Sequence, residues 1–506
     1  MQKSLKYMIN KTANRLFTRY PRKSLRLLEI IPPVIAVFLI SVPFWGAFFF
    51  PAFLAYFIIF FDIWWLYKSL NLAICSFLAS RKIKDSEKTD WVLLAKQEKD
   101  FEKVHHIVVI PTYKESLHKL TETLNSLKNQ TFPHERLHIF LAFEQREENA
   151  KEKAQELAEN FKKHFETFHA TYHPDIPGEA KGKASNQAYA GKEAYKMLVE
   201  ERGLNPSYMT ITSADADSIF DEQYFANVSY AFLKHSDREI SFFQSANVYY
   251  NNFWKVPAGT RVIAFFGSLI RTSLLVQHLR LIPNSTYTLS LKLLKDIDFW
   301  DTDVIPEDYR IFFKAFFAKK GKIVVTPIFL KTSMDCPQSL TYFGSLMNKY
   351  NQERRWSWGI SDDAVFLKWW LTVKDVPFLR KTYLVFNVML DHILWPVNWF
   401  LVTVAANAIV FLNPVFSRSS LGYTLPHLSG FILTICLFAL FIMIYVDFDL
   451  RSHKYAKPPK MKQFMFPLEF ILMPIAGLFL STIPALISHV QLIRGKRMEY
   501  KVTEKV

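Results

Sequence analysis

His106-Ile107-Val108-Val109-Ile110-Pro111 reads as a buried strand, and Thr112-Tyr113-Lys114-Glu115 leaves its carboxyl end before a helical pattern from Leu117 to Leu127. An unbroken apolar run of this length, bounded by polar residues, fits a strand covered on both faces. In open parallel sheets ligands bind outside the carboxyl ends of the strands, so the turn from Thr112 to Glu115 is a candidate contact. Leu137 to Phe143 is a second such run and ends at Glu144-Gln145-Arg146-Glu147. Tyr208 to Ser213 is a third and ends just before Asp215-Ala216-Asp217. Apolar strands alternating with charged helical patterns through residues 81–335 predict an α/β domain built on a parallel sheet with crossover helices.

The chain has 506 residues, half of them hydrophobic and 47 of them Phe, yet its mean hydropathy is only +0.05. Apolar and charged stretches are therefore segregated. The formal charge of +16 could serve nucleic acid, phosphate or anionic lipid, but its distribution favours lipid. Residues 1–26 carry eight Lys or Arg and no acid, and Arg451 to Lys462 carries five more, both beside apolar segments. These are juxtamembrane charges, and no nucleic-acid partner is expected. Cys75 and Cys436 fall in apolar runs and Cys336 stands alone, which excludes a CxxC metal site and a disulfide framework.

The apolar stretch from Ile30 to Leu66 is too long for a signal core and predicts a transmembrane hairpin, Ile30 to Phe50 and Pro51 to Leu66. Tyr342 to Val373, rich in aromatic and basic residues, predicts helices lying in the bilayer interface. Apolar runs follow at Tyr383 to Leu412, Leu428 to Val446 and Phe466 to Val490. Positive-inside reasoning puts both the Arg451 to Lys462 loop and the basic tail in the cytosol, which predicts that the last run is re-entrant or a Pro-broken hairpin. The expected divisions are 1–80, basic start and hairpin; 81–335, cytosolic catalytic domain; 336–380, interfacial helices; 381–490, membrane region; and 491–506, cytosolic tail. Asp391 and His392 stand as the intramembrane ionisable candidates.

Four further polar motifs carry chemistry. DxD occurs four times, but only Asp215 and Asp217 follow a strand, where alternation would point two carboxylates the same way toward a divalent cation. Pro306-Glu307-Asp308 holds the chain's one Glu-Asp dipeptide and opens the amphipathic helix Tyr309 to Phe317. Gln352-Glu353-Arg354-Arg355-Trp356 comes about 45 residues later, with Gln352 and Arg355 on one helical face. Lys183, in Lys181-Gly182-Lys183-Ala184-Ser185-Asn186, stands near a helix start where anions bind.

In this order the motifs resemble the processive family 2 glycosyltransferases, such as cellulose, hyaluronan and chitin synthases. The resemblance covers residues 104–360 and implies a type A glycosyltransferase domain, of the nucleotide-diphosphate-sugar transferase kind, with a mixed, mainly parallel sheet, beside a multi-pass helical membrane region. It assigns Thr112, Tyr113, Glu115, Glu144, Lys183 and Asp215 to the donor, although the family usually has Asp where this chain has Glu144. It further assigns Asp215 and Asp217 to Mg²⁺ or Mn²⁺, and Asp308, with Glu307, to catalysis. One base acting in a direct displacement implies inversion. Gln352, Arg355 and Trp356 are assigned to diphosphate and acceptor, and Trp358 could extend that platform. Pro283 to Tyr287 departs from the family's acceptor loop, while Tyr500 to Lys505 resembles the gating loop of cellulose synthase.

The expected enzyme is thus an inverting hexosyltransferase that moves sugar from a UDP-type donor to a glycan, possibly processively, at the plasma membrane with its catalytic domain in the cytosol. Single transfer to a lipid, as in ceramide glucosyltransferases, is the alternative, and a non-catalytic scaffold or transporter is the alternative of another class. Sugar, acceptor and accessory subunits are not encoded in any motif.

Overall fold

The computed structural model describes residues 16–451 and 460–499. Its catalytic domain is built on eight strands: β1 His105–Thr112, β2 Leu137–Glu144, β3 Thr167–His173, β4 Met209–Ser213, β5 Ile219–Phe220, β6 Ser241–Val248, β7 Tyr287–Ser290 and β8 Val324–Ser333. They form one sheet in the order β3-β2-β1-β4-β7-β6-β8-β5. The pairs β3/β2, β2/β1, β1/β4 and β6/β8 are parallel, and β4/β7, β7/β6 and β8/β5 are antiparallel. The sheet is thus mixed and mainly parallel.

Alternation along β1 explains its continuous apolar run. Ile107 and Val109 face a layer with Phe140, Ala188, Ile211 and Phe313, while Val108 and Ile110 face the opposite layer with Leu124, Leu141 and Phe225. Helices Lys183–Tyr195 and Glu307–Ala318 cover the first face, and Leu117–Lys128, Ala150–Phe161 and Tyr224–Lys234 the second. His106 is fully buried within β1, where its ring bridges Thr210 Oγ1 (2.5 Å) and Ser229 Oγ (2.7 Å). Burial holds its pKa well below the usual value, so this histidine is a neutral core group.

Register brings the functional turns to one edge. Thr112 lies beside Phe143, Val109 beside Ser213, and Ser213 opposite Tyr287. The ends of β1, β2 and β4 and the start of β7 therefore share a rim, and residues 284–286 enter it from the antiparallel side.

Among the described residues, five helices are long and apolar enough to cross a membrane: Pro21–Phe49, Pro51–Glu87, Phe378–Leu412, Ser420–Arg451 and Lys460–Ile493. The first two are broken only at Phe50, with Pro43 accommodated inside the first. The second continues past Leu66 to Glu87, across the expected division at residue 80, because it packs against Ala258–Leu274 and β8 of the catalytic domain. Asp391 and His392 are not the only ionisable groups in these helices: Asp62 is buried in the second and accepts from Ser429 Oγ at 2.6 Å. The pairing across helices lets a carboxyl group persist in an apolar setting.

The last apolar run is irregular, with a 3₁₀ turn at Phe470–Leu472, a π segment at Leu478–Thr482, and Pro474 and Pro484 close by. Near its start Glu469 pairs with Arg261, and Lys462 Nζ donates to the Trp254 carbonyl at 3.3 Å. At its end Ser488 Oγ donates to the Arg354 carbonyl at 2.8 Å. Both ends therefore touch the catalytic domain or the helix that follows it. Residues 452–459, most of the expected basic loop, and the gating-loop-like stretch Tyr500 to Lys505 lie outside the described residues.

Candidate active site

The rim opens into a cleft. Thr112, Tyr113, Glu115, Glu144, Lys183, Asp215, Glu307, Asp308, Arg355 and Trp356 all line it. Of the residues expected at the site, Asp217 and Gln352 do not line it.

The turn after β1 is held from within. The Glu115 carboxylate accepts from Thr112 Oγ1 at 2.8 Å and from the Tyr113 N–H at 2.5 Å. Lys114 adopts a left-handed backbone (φ 70°), which costs a non-glycine residue free energy. Its N–H donates to Glu147 Oε2 at 3.0 Å, and Lys153 ties Glu147 back to the Glu115 carbonyl. Arg146 stacks over the Tyr113 ring at 4.0 Å while its Nε donates to Glu144. Glu144 is the last residue of β2 rather than the start of a helix, since the next helix begins at Ala150.

At the centre lies a charge cluster. Gly182, at φ 135°, leads into the helix Lys183–Tyr195 and places Lys183 at its first turn. Lys183 Nζ donates to Asp215 Oδ1 (2.7 Å) and to the Ser285 carbonyl (2.6 Å), and lies 3.1 Å from Glu307 Oε1. Burial, opposed by the ammonium of Lys183 and reinforced by Asp308 and Asp215, raises the Glu307 pKa to about 7. For Lys183 the two carboxylates outweigh burial and hold the ammonium charged.

Asp308 is fixed by two backbone donors, the Ser285 N–H to Oδ2 (3.1 Å) and the Tyr309 N–H to Oδ1 (2.9 Å). Ser285 has a left-handed backbone (φ 54°), so the turn before β7 presents its N–H to Asp308 and its carbonyl to Lys183. The sequence marked Pro283 to Tyr287 only as a mismatched loop, and nothing in it singled out Ser285, Glu147 or Arg146.

The carboxylates of the DxD motif diverge. Asp215 faces the cleft, whereas Asp217 is fully buried and its Oδ2 accepts from the Asp335 N–H at 2.7 Å. Gln352 accepts from Lys349 Nζ at 2.9 Å and is buried. Trp356 lies 4.7 Å from Lys349 Nζ and 5.1 Å from the Arg271 guanidinium. Trp358 is buried among Ile360, Leu492 and Ile305 rather than in the cleft.

No set of three His, Cys, Asp or Glu side chains arranged to hold a metal occurs among the described residues. Asp215 alone of the pair faces the cleft, a donor set that fits a hard cation completed by substrate phosphates and not a protein cage.

Residues 210–446 match the family model described as Glycosyl transferase family group 2. The match takes in a little under half of the chain and supports a transferase. No curated protein matches the chain. Similar solved structures include the mannosyltransferase PcManGT from Pyrobaculum calidifontis in complex with GDP-Man and Mn²⁺, at 14% identity and TM-score 0.43 over 92% of this chain and 100% of that one. Another is S. aureus TarS 1-349 in complex with UDP-GlcNAc, at 13% identity and TM-score 0.37 over 70% of this chain and 93% of that one.

Proposed function

We propose that this chain is a membrane-embedded, inverting glycosyltransferase that takes sugar from a nucleotide-diphosphate donor of the UDP type and gives a β-linkage. The observation that carries this reading is the convergence of Lys183, Asp215, Glu307 and Asp308 in one cleft at the strand edge. The base and ribose would lie at Tyr113, Glu115 and Glu144, and the diphosphate would lie between Lys183 and Arg355. Asp308, oriented by Ser285 and Tyr309, takes the acceptor hydroxyl proton as the new bond forms at the anomeric carbon and the nucleotide leaves.

Mg²⁺ or Mn²⁺, held by Asp215 and the donor phosphates, would neutralise the leaving diphosphate. Asp217, buried with Oδ2 on the Asp335 N–H, does not line this cleft. Lys183 adds a fixed positive charge at the same place, and Glu307 holds that charge in position.

Basic segments beside the apolar helices support a cytosolic catalytic domain at the plasma membrane. Polymer synthesis and single transfer share this chemistry and differ in what the Trp356 region admits. A lipid acceptor is the second reading, favoured because Tyr309, next to the base, stacks on His392 of the long apolar helix Phe378–Leu412 (ring centroids 6.3 Å apart). The test is product analysis: membranes with labelled UDP sugars should move label into glycan or lipid, and UDP release that survives Asp308→Asn would overturn the base assignment.

A further inference from the structure

We propose that the acceptor is an anionic lipid whose phosphate is bound by Arg271, Arg280 and Lys68 while its hydroxyl faces Asp308. This rests on the transferase reading above and specifies its acceptor.

The three cations come from two elements that pack together, Lys68 from the apolar helix Pro51–Glu87 and Arg271 and Arg280 from the end of Ala258–Leu274 and the turn after it. Arg280 Nη2 donates to Asp391 Oδ2 at 2.7 Å, and Lys68 Nζ lies 3.6 Å from Asp391 Oδ1. Arg271 has no carboxylate partner among the described residues. Its Nε donates to Asn284 Oδ1 at 3.1 Å, and its guanidinium rests 4.9 Å from the Tyr249 ring and 5.1 Å from that of Trp356. Lys68 and Arg280 thus share one carboxylate, which is itself half exposed, while Arg271 brings a third positive charge with none. A ligand bringing negative charge would complete the balance.

The surroundings point to lipid. Tyr67, Ile270, Leu279 and Leu390, on the same elements, are exposed apolar side chains, and Lys68 and Asp391 belong to helices apolar enough to cross a membrane. Cations beside such helices attract anionic headgroups.

What separates this cluster from ordinary snorkelling cations is its tie to the reacting centre. Arg271 binds Asn284, and the next residue, Ser285, donates its N–H to Asp308. The charges of Arg271 and Arg280 both act on the Tyr309 hydroxyl, one residue beyond the base. The acceptor phosphate takes no part in bond making: the hydroxyl oxygen attacks the anomeric carbon, its proton passes to Asp308, and the nucleoside diphosphate leaves.

The test uses the full chain in neutral vesicles with labelled nucleotide sugar and three acceptors: a lipid-linked sugar joined through a phosphodiester, the same lipid and sugar joined by a direct glycoside, and a water-soluble sugar phosphate. The phosphodiester lipid should be the preferred acceptor. Arg280→Gln and Lys68→Gln should each raise its KM about tenfold or more, as expected for a lost charge-assisted contact, with a much smaller change in kcat, and Arg280→Lys should restore part of the loss. Equal use of the neutral glycolipid, or variants that leave KM unmoved, would overturn the inference and leave the transferase standing. Equal use of the soluble sugar phosphate would show a free-phosphate site and overturn the lipid assignment. Failure to turn over any nucleotide sugar with any acceptor, in folded protein, would instead overturn the transferase reading itself.

Discussion

Replacing Lys183 by Met removes the charge that holds the centre of the cleft together. The ammonium touches Asp215, Glu307 and the Ser285 carbonyl, and only 16% of its side chain is exposed. Removing one partner of a buried ion pair costs roughly 3–5 kcal/mol because the other charge is left uncompensated. Asp215 is about a quarter exposed and is partly screened, which places the expected loss near the lower end, about 3 kcal/mol. The pH dependence gives a sharper check. Glu307 has a folded pKa of about 7, above its ordinary 4.5, so the folded state binds more protons in that window and stability falls as pH rises through it. In wild type Lys183 limits that rise; without it, Asp308 and Asp215 push the Glu307 carboxyl higher still. Thermal unfolding followed from pH 5 to 8 should therefore show a variant that is less stable everywhere and loses stability more steeply as pH rises. A variant with wild-type stability and wild-type pH slope would refute the buried charge cluster.

Asp308→Asn keeps the size of the side chain but cannot take a proton, and turnover should fall by about 10²- to 10⁴-fold with little change in donor binding, as measured by UDP release and donor titration. Asp215→Asn should raise the Mg²⁺ or Mn²⁺ concentration needed for half-maximal turnover more than Asp217→Asn does; the reverse order in a metal titration would show that Asp217 leaves Asp335 to bind the cation. Gly191→Ala places a Cβ 2.9 Å from Trp300 Cζ3 and 3.4 Å from Phe299 Cδ1, inside the layer beneath the site. Overpacking of this kind costs about 1–3 kcal/mol, and an unchanged unfolding midpoint would mean that the Trp300 ring gives way freely.

The β1, β2 and β4 strands were legible because each is a short apolar run that ends in polar residues, and Asp308 was legible because the Glu-Asp pair opens an amphipathic helix. The orientation of Asp217 was not. Alternation points residues two apart to one side only while the strand continues, but β4 ends at Ser213 and a turn follows, with the Ser218 N–H donating to the Asp215 carbonyl at 2.9 Å. The turn sends the two carboxylates apart, and the partner of Asp217 lies far along the chain at Asp335. Gln352 failed to reach the cleft for a local reason: Lys349, three residues earlier on the same helix, bonds it together with Glu353. Ser285 and Glu147 act through backbone groups of distant segments, and no residue pattern announces such contacts.

The helix Tyr342–Ser357, which carries Arg355 and Trp356, is anchored by the last apolar run. Ser488 Oγ lies 3.0 Å from Ser357 Oγ, and Arg354 donates to Gln491 Oε1 at 2.5 Å. Arg26, in the first apolar helix, donates to the carbonyls of Leu492 and Ile493 (both 2.7 Å), where a helix end leaves acceptors unpaired. Side chains from the two ends of the chain thus meet around the helix that forms one wall of the cleft. The position of Trp356 relative to Asp308 is then set by the packing of candidate membrane helices as much as by the catalytic sheet. Changes in those helices that loosen this packing should therefore alter acceptor use before they alter donor binding, because the proposed donor residues come from β1, β2 and the loops that follow them.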